Sequence, residues 1–370
     1  MRFGLQLGCI LAVLGPSVVA GAQQKPPYYE EDVKSSNPIR TEQARELDAY
    51  ILHLKSDSSR LNTLFKPDYS SQKAFTASTK GLRKAFADSM GYPPPGNPDP
   101  EEPKFNKIGE DSIGTYYRAS IPVLPGVHCV GIYIVPKGLK GRAPLVISMH
   151  GGGGSPEIAL FHGGGNYHDM VRGGVERGYV VFAPTHLFNA QGYPPNVRNQ
   201  IDSRMRLVGT SLSAVEIAKI SRSIDVLVKR PEVDSKRIAM VGLSYGGYYT
   251  LVTAALEPRI MCAVSSCYYG VQEWRYERDE LGVPSDFQFM DRMSLFLDSE
   301  LAALICPRYL EIQAGKNDDE AHRDGGIKLA PRSAEYYNKL GVPDHFRFVV
   351  FEGGHDFNDT TAWEFLKKHL

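Results

Sequence analysis

The sequence predicts an α/β fold: a mostly parallel central sheet flanked by helices, preceded by an N-terminal helical extension. Two observations carry this. Short apolar runs at residues 145–149, 179–183 and 238–241 read as buried strands, and residues 261–267, 309–313 and 346–351 read as further strands. Between them lie segments with apolar residues at helical spacing, and strands alternating with helices make a parallel sheet. A chain of 370 residues with 42% hydrophobic content can bury a substantial core around it.

Residues 1–22 read as a cleaved export signal. Arg2 gives the positive start, residues 5–14 a short apolar core, and Ala20-Gly21-Ala22 a small-residue cleavage site. The apolar run is too short to span a bilayer, so a secreted or periplasmic protein without membrane contact is expected. Basic and acidic side chains balance at 42 each, which leaves no electrostatic footprint for nucleic acid. Residues 23–104 form a polar, proline-punctuated leader followed by helices. One starts near Thr41 with Leu47, Ile51 and Leu54 on one face, and a second covers residues 71–89. The run Gly91-Tyr92-Pro93-Pro94-Pro95-Gly96-Asn97-Pro98 ends regular structure there.

The catalytic domain is expected over residues 105–370. Strands at 113–121 and 127–135 flank Pro125-Gly126 and suggest an antiparallel hairpin. Residues 169–177 supply a crossover helix. A longer helix carries Ile217, Ile220, Ile224 and Leu227 at helical spacing and ends near Pro231. Export makes disulfides permissible. Cys129, Cys262, Cys267 and Cys306 allow three full pairings, and buried free thiols are the equal alternative. Residues 268–305 separate two strands and contain Tyr268, Tyr269, Trp274, Tyr276, Phe287 and Phe289. That segment is either a cap offering stacked aromatics to a substrate or an ordinary packed crossover. The stretch Phe161, His162, Asn166, Tyr167, His168, Asp169 lacks the spacing of known zinc motifs and reads as a loop beside the site.

Chemistry concentrates after the strand at 238–241. Gly242-Leu243-Ser244-Tyr245-Gly246 is a G-x-S-x-G turn between a strand and a helix-compatible segment. A serine hydroxyl needs a base to take its proton, and the base needs an orienting acid. From 113 onward the chain resembles the α/β-hydrolase superfamily, whose triads run serine, acid, histidine. The resemblance implies Ser244 as nucleophile and His355, in Glu352-Gly353-Gly354-His355, as base. In Gly315-Lys316-Asn317-Asp318-Asp319-Glu320 it favours Asp318 as acid, three residues after Gly315, with Asp319 and Glu320 as alternatives. It also implies oxyanion donors at the N–H of Tyr245 and in His150-Gly151-Gly152-Gly153-Gly154, where Gly151 and Gly152 are the candidates. His150 itself is a structural member of that loop. No metal or organic cofactor is called for.

Val233-Asp234-Ser235-Lys236-Arg237-Ile238, Cys306-Pro307-Arg308-Tyr309-Leu310 and Gly341-Val342-Pro343 are similar to bacterial acetylxylan esterase-like and dienelactone hydrolase-like proteins. The implied activity is serine ester hydrolysis on a small-molecule or polysaccharide ester, with acetylated carbohydrate as one class. Tyr245 stands where glucuronoyl esterases carry arginine, and Ser244 where dienelactone hydrolases carry cysteine. Ser244-Tyr245-Gly246-Gly247 is also similar to the elbow of the prolyl oligopeptidase family, but the segment before the sheet is too short for that family's propeller. A non-catalytic binding relative would lack a triad member, and none is missing here.

Overall fold

The computed structural model describes residues 28–161, 165–280 and 287–370, so the expected export signal lies outside the described residues. The chain divides into two compact units, residues 1–54 and 55–370. In the first, the helix Asn37–Ser56 begins earlier than its sequence suggests, and the Leu47, Ile51 and Leu54 face is exposed.

The second unit is built on a nine-stranded sheet in the order β1-β2-β3-β5-β4-β6-β7-β8-β9. Its strands are β1 Lys104–Glu110, β2 Gly114–Leu124, β3 Val127–Pro136, β4 Ala143–Met149, β5 Val180–Pro184, β6 Val233–Leu243, β7 Cys262–Ser266, β8 Tyr309–Gly315 and β9 Phe346–Phe351. β1, β2, β3 and β5 pair antiparallel, and β5, β4, β6, β7, β8 and β9 pair parallel. Strands β4, β5 and β7 are buried along their whole length, and for β4 and β5 this is why the sequence there reads as a largely apolar run. The expected hairpin forms, with Tyr117 opposite Tyr133. β1 escaped prediction because it is an edge strand with no buried residue and a register shift between Lys107 and Gly109.

Helices cover both faces. Leu212–Leu227 starts at Ser211, whose hydroxyl accepts from the Ala214 N–H, and buries Ile217, Ile220, Ile224 and Leu227 as the spacing predicts. The expected single helix over 71–89 is two, Gln72–Ser78 and Lys80–Met90. They part at Thr79, whose hydroxyl bonds back to Thr76 O. Phe75, Leu82, Phe86 and Met90 from these helices join the main core, so a boundary at 105 falls inside one compact unit. All four described cysteines are buried free thiols, which settles the disulfide question in favour of packing.

Arg308, just before β8, ties this packing together. Its guanidinium donates to the carbonyls of Ala254 and Ile260 at 2.6 Å each and of Glu257 at 3.2 Å. Ala254 O lies in the last turn of the helix Tyr245–Leu256, where Pro258 offers no N–H, and Glu257 O, which also accepts the Ile260 N–H at 3.2 Å, lies with Ile260 O on the approach to β7. Replacing Arg308 by methionine keeps the stem but removes these donors. The expected cost is about 2–4 kcal/mol in urea unfolding at unchanged m-value. Wild-type stability would show that the carbonyls find other partners.

Candidate active site

β6 ends at Leu243 and the helix Tyr245–Leu256 begins one residue later, so the chain must reverse within Ser244. Ser244 adopts φ 58° and ψ −116°, a conformation a non-glycine residue holds at a cost of about 1–3 kcal/mol. Its N–H donates to Ser266 O at 2.8 Å, and its carbonyl accepts from Tyr248 N–H at 2.9 Å. The turn is possible because Gly246 carries no side chain: a Cβ there would lie 2.1 Å from Met149 O. The nucleophile turn is thereby pressed against the end of β4, where the glycine loop starts.

The acid and base loops leave the carboxyl ends of β8 and β9, which pair in parallel. Two backbone bonds hold the loops together, Lys316 N–H to Phe351 O and Asn317 N–H to Gly353 O, and a third, Asp318 N–H to Gly315 O, closes the turn of the acid loop itself. His355 Nδ1 and Asp318 Oδ2 are 2.8 Å apart, with the Asp318 side chain only 5% exposed. Burial alone would raise the Asp318 carboxyl. The hydrogen bond from His355 and the charges of His355 and His322 outweigh it and hold the carboxyl below its ordinary value. Asp319, 57% exposed, instead caps the helix Glu320–Lys339, with Oδ1 accepting from His322 N–H. Among the described residues no hydrogen bond joins the Ser244 hydroxyl to His355, which is common in sites without substrate. The two loops are connected through β7. Ser266 receives the Ser244 N–H on its carbonyl and donates its hydroxyl to Asp356 O at 2.9 Å.

The glycine loop departs from expectation at one residue. Gly151 N–H donates to the Tyr167 hydroxyl at 3.0 Å, so in this structure it does not point at a substrate oxygen. The Gly152 N–H has no partner among the described residues, and Tyr245 is the first residue of the helix that follows the serine. His150 is a framework residue, as its motif suggests. It is 1% exposed, its Nδ1 meets Gly151 O at 2.9 Å, and its ring stacks on His186 at 4.0 Å. Burial drives both rings below the usual histidine range, so they are neutral.

Tyr245 is fixed by its neighbours. Phe188, Phe287 and His186 surround its ring, and the Arg198 guanidinium lies 4.7 Å from its centroid. Phe287 also packs on Tyr248 and Tyr268 and is 5% exposed, so this aromatic of the 268–305 segment is packing and not an open stacking platform. Three nearby residues were not identified as site members from sequence. Asn166 Nδ2 donates to His355 O at 3.0 Å, Tyr167 contacts the glycine loop, and His322 lies edge-on to His355 at 4.6 Å with Nδ1 2.7 Å from Asp319 Oδ2. Their pairing in space has no sequence periodicity. Only their proximity to the glycine and acid motifs hinted at it.

A strained serine at a β6 turn, a glycine loop after β4, and an acid and a histidine after β8 and β9 form the pattern of the α/β-hydrolase fold, which the chain shares with solved structures. Residues 155–288, which include Ser244 but neither Asp318 nor His355, match the dienelactone hydrolase family. The chain is 25% identical over 232 residues to the candidate hydrolase YtaP of Bacillus subtilis, covering 60% of this chain and 76% of that one. It is 28% identical over 150 residues to a candidate dipeptidyl aminopeptidase of Schizosaccharomyces pombe, covering 39% of this chain and 16% of that one. A candidate acetyl xylan esterase from Bacteroides fragilis superposes with a TM-score of 0.63 at 16% identity, over 78% of this chain and 79% of that one. The matched segment thus holds the serine turn, and the solved neighbour shares the fold.

The two acidic neighbours can be separated experimentally. Asp318→Asn is expected to lower kcat by about 10⁴, because the imidazole loses its orienting carboxylate. Asp319→Asn keeps a side chain that also caps helices, so kcat and stability should stay near wild type. The reverse pattern in steady-state kinetics would assign the acid to Asp319.

Proposed function

We propose that the protein is an exported serine esterase working through an acyl-enzyme. The single observation that carries this reading is the part-buried Asp318–His355 pair, which follows adjacent parallel strands at the same sheet edge as the strained Ser244 turn. Ser244 attacks the ester carbonyl, and His355 takes its proton and returns it to the leaving alcohol. Asp318 holds the imidazole in the tautomer that presents Nε2 to the serine. The N–H groups of Tyr245 and Gly152 face the developing oxyanion, and a water molecule then repeats the attack on the acyl-serine. The scheme uses no metal or organic cofactor.

Acetyl or related esters of carbohydrate are the proposed substrates, following the esterase neighbours of the same fold. Residues 1–22 would direct export. No described helix is long and apolar enough to cross a membrane. A peptidase is the second reading, favoured by the match to the aminopeptidase and by Tyr245-Gly246-Gly247 after the serine. A panel of acetylated xylan, short aryl esters and proline-containing peptides separates the two. Ester turnover is expected, and peptide cleavage without ester turnover would replace the proposal. Ser244→Ala should lower kcat on aryl acetate by about 10⁶. Undiminished turnover would remove Ser244 from the mechanism.

A further inference from the structure

Resting on that serine mechanism, we propose that the Tyr167 hydroxyl donates a hydrogen bond to the oxyanion formed on Ser244, in the place the Gly151 N–H would otherwise take. The Gly151 N–H is committed to Tyr167 Oη, so it cannot serve the substrate in this arrangement. The tyrosine passes the donation on. Oη accepts the Gly151 N–H at 3.0 Å, and its own hydroxyl hydrogen has no acceptor among the described residues. A hydroxyl that accepts an amide hydrogen is polarised and becomes a stronger donor.

The placement fits. A Cβ built on Gly151 would lie 3.3 Å from Ser244 Cβ and 3.4 Å from Tyr167 Oη, so serine and hydroxyl flank the same glycine. The loop also makes room for the ring, since a Cβ on Gly154 would lie 2.0 Å from Tyr167 Oη. Burial raises the phenol's pKa, so the donor hydrogen stays on through the neutral range.

Tyr167 is also held rigidly, as a donor must be if it is not to reorganise during reaction. It is 4% exposed and ends a one-turn segment, Gly165–Tyr167. Asn166 in that turn donates its amide to His355 O at 3.0 Å and accepts Phe357 N–H on its carbonyl at 2.9 Å. One short turn therefore connects the base loop to the glycine loop and sets their spacing.

The test is Tyr167→Phe in the full-length protein, read with an aryl acetate, a trifluoromethyl ketone that adds to the serine, and the corresponding non-adding alcohol. The expected result is a loss of about 10²-fold in kcat/KM and a parallel loss in ketone affinity. Alcohol affinity should stay at the wild-type value, whereas a merely structural role would weaken ketone and alcohol together; thermal unfolding drops in either case, because the Gly151 N–H loses its acceptor. Wild-type kcat/KM in the variant, or equal losses for ketone and alcohol, would overturn the proposal. If the variant does not fold, 3-fluorotyrosine at 167 preserves the shape with a more acidic hydroxyl. Tighter ketone binding then supports the assignment, and unchanged binding overturns it. A wild-type protein that forms no ketone adduct at Ser244 would overturn the serine mechanism itself, and the role of Tyr167 with it.

Discussion

The structure turns on the close contact between Gly246 and the Met149 carbonyl. A methyl group at Gly246 would sit 2.1 Å from that oxygen, so the elbow helix can begin against the end of β4 only without one. The contact brings Ser244 beside the glycine loop. It also obliges Ser244 to take a backbone conformation that no side-chain-bearing residue favours. The strain is carried by the surroundings. Ser244 is bonded through its N–H to β7 and through its carbonyl to the first turn of its helix, and Ile238 to Leu243 before it are fully buried. A strained residue clamped on both sides keeps its hydroxyl in one place, which positioned nucleophiles need.

A second layer of constraint acts on the acid and base. Two neighbouring carboxylates divide the work because one is buried and the other is not. Asp318, sealed between the β8 and β9 loops, faces His355, while Asp319 faces solvent and begins a helix. His322, on the first turn of that helix, places its imidazole against both carboxylates and lies close to His355. Burial and the charge of His355 lower its pKa against the opposing pull of Asp318 and Asp319.

Much of this was legible in the sequence, and the limits follow from physics. Buried strands such as β4 and β5 are apolar on both faces, and a turn as tight as the elbow leaves glycines at fixed offsets. Asp318, His355 and Ser244 were candidates because each follows a strand end and the resemblance singles them out, and the structure brings Asp318 and His355 within hydrogen-bond distance. The edge strand β1 could not be read, since it buries nothing and so carries no alternation. Nor could the engagement of Gly151: a motif records that glycine permits a close approach, and not which hydroxyl arrives. Tyr167 comes from a different loop, and only folding brings it to Gly151.

The central claim is that Ser244 becomes acylated and that Asp318 and His355 drive the exchange. Its most direct test is the intact mass of enzyme quenched within milliseconds of mixing with a p-nitrophenyl ester, followed by peptide mapping. The account predicts an acyl mass on the peptide containing Ser244, decaying with the steady-state rate and absent from Ser244→Ala. Full ester turnover with the acyl group on another residue, or with none at any time, would contradict it.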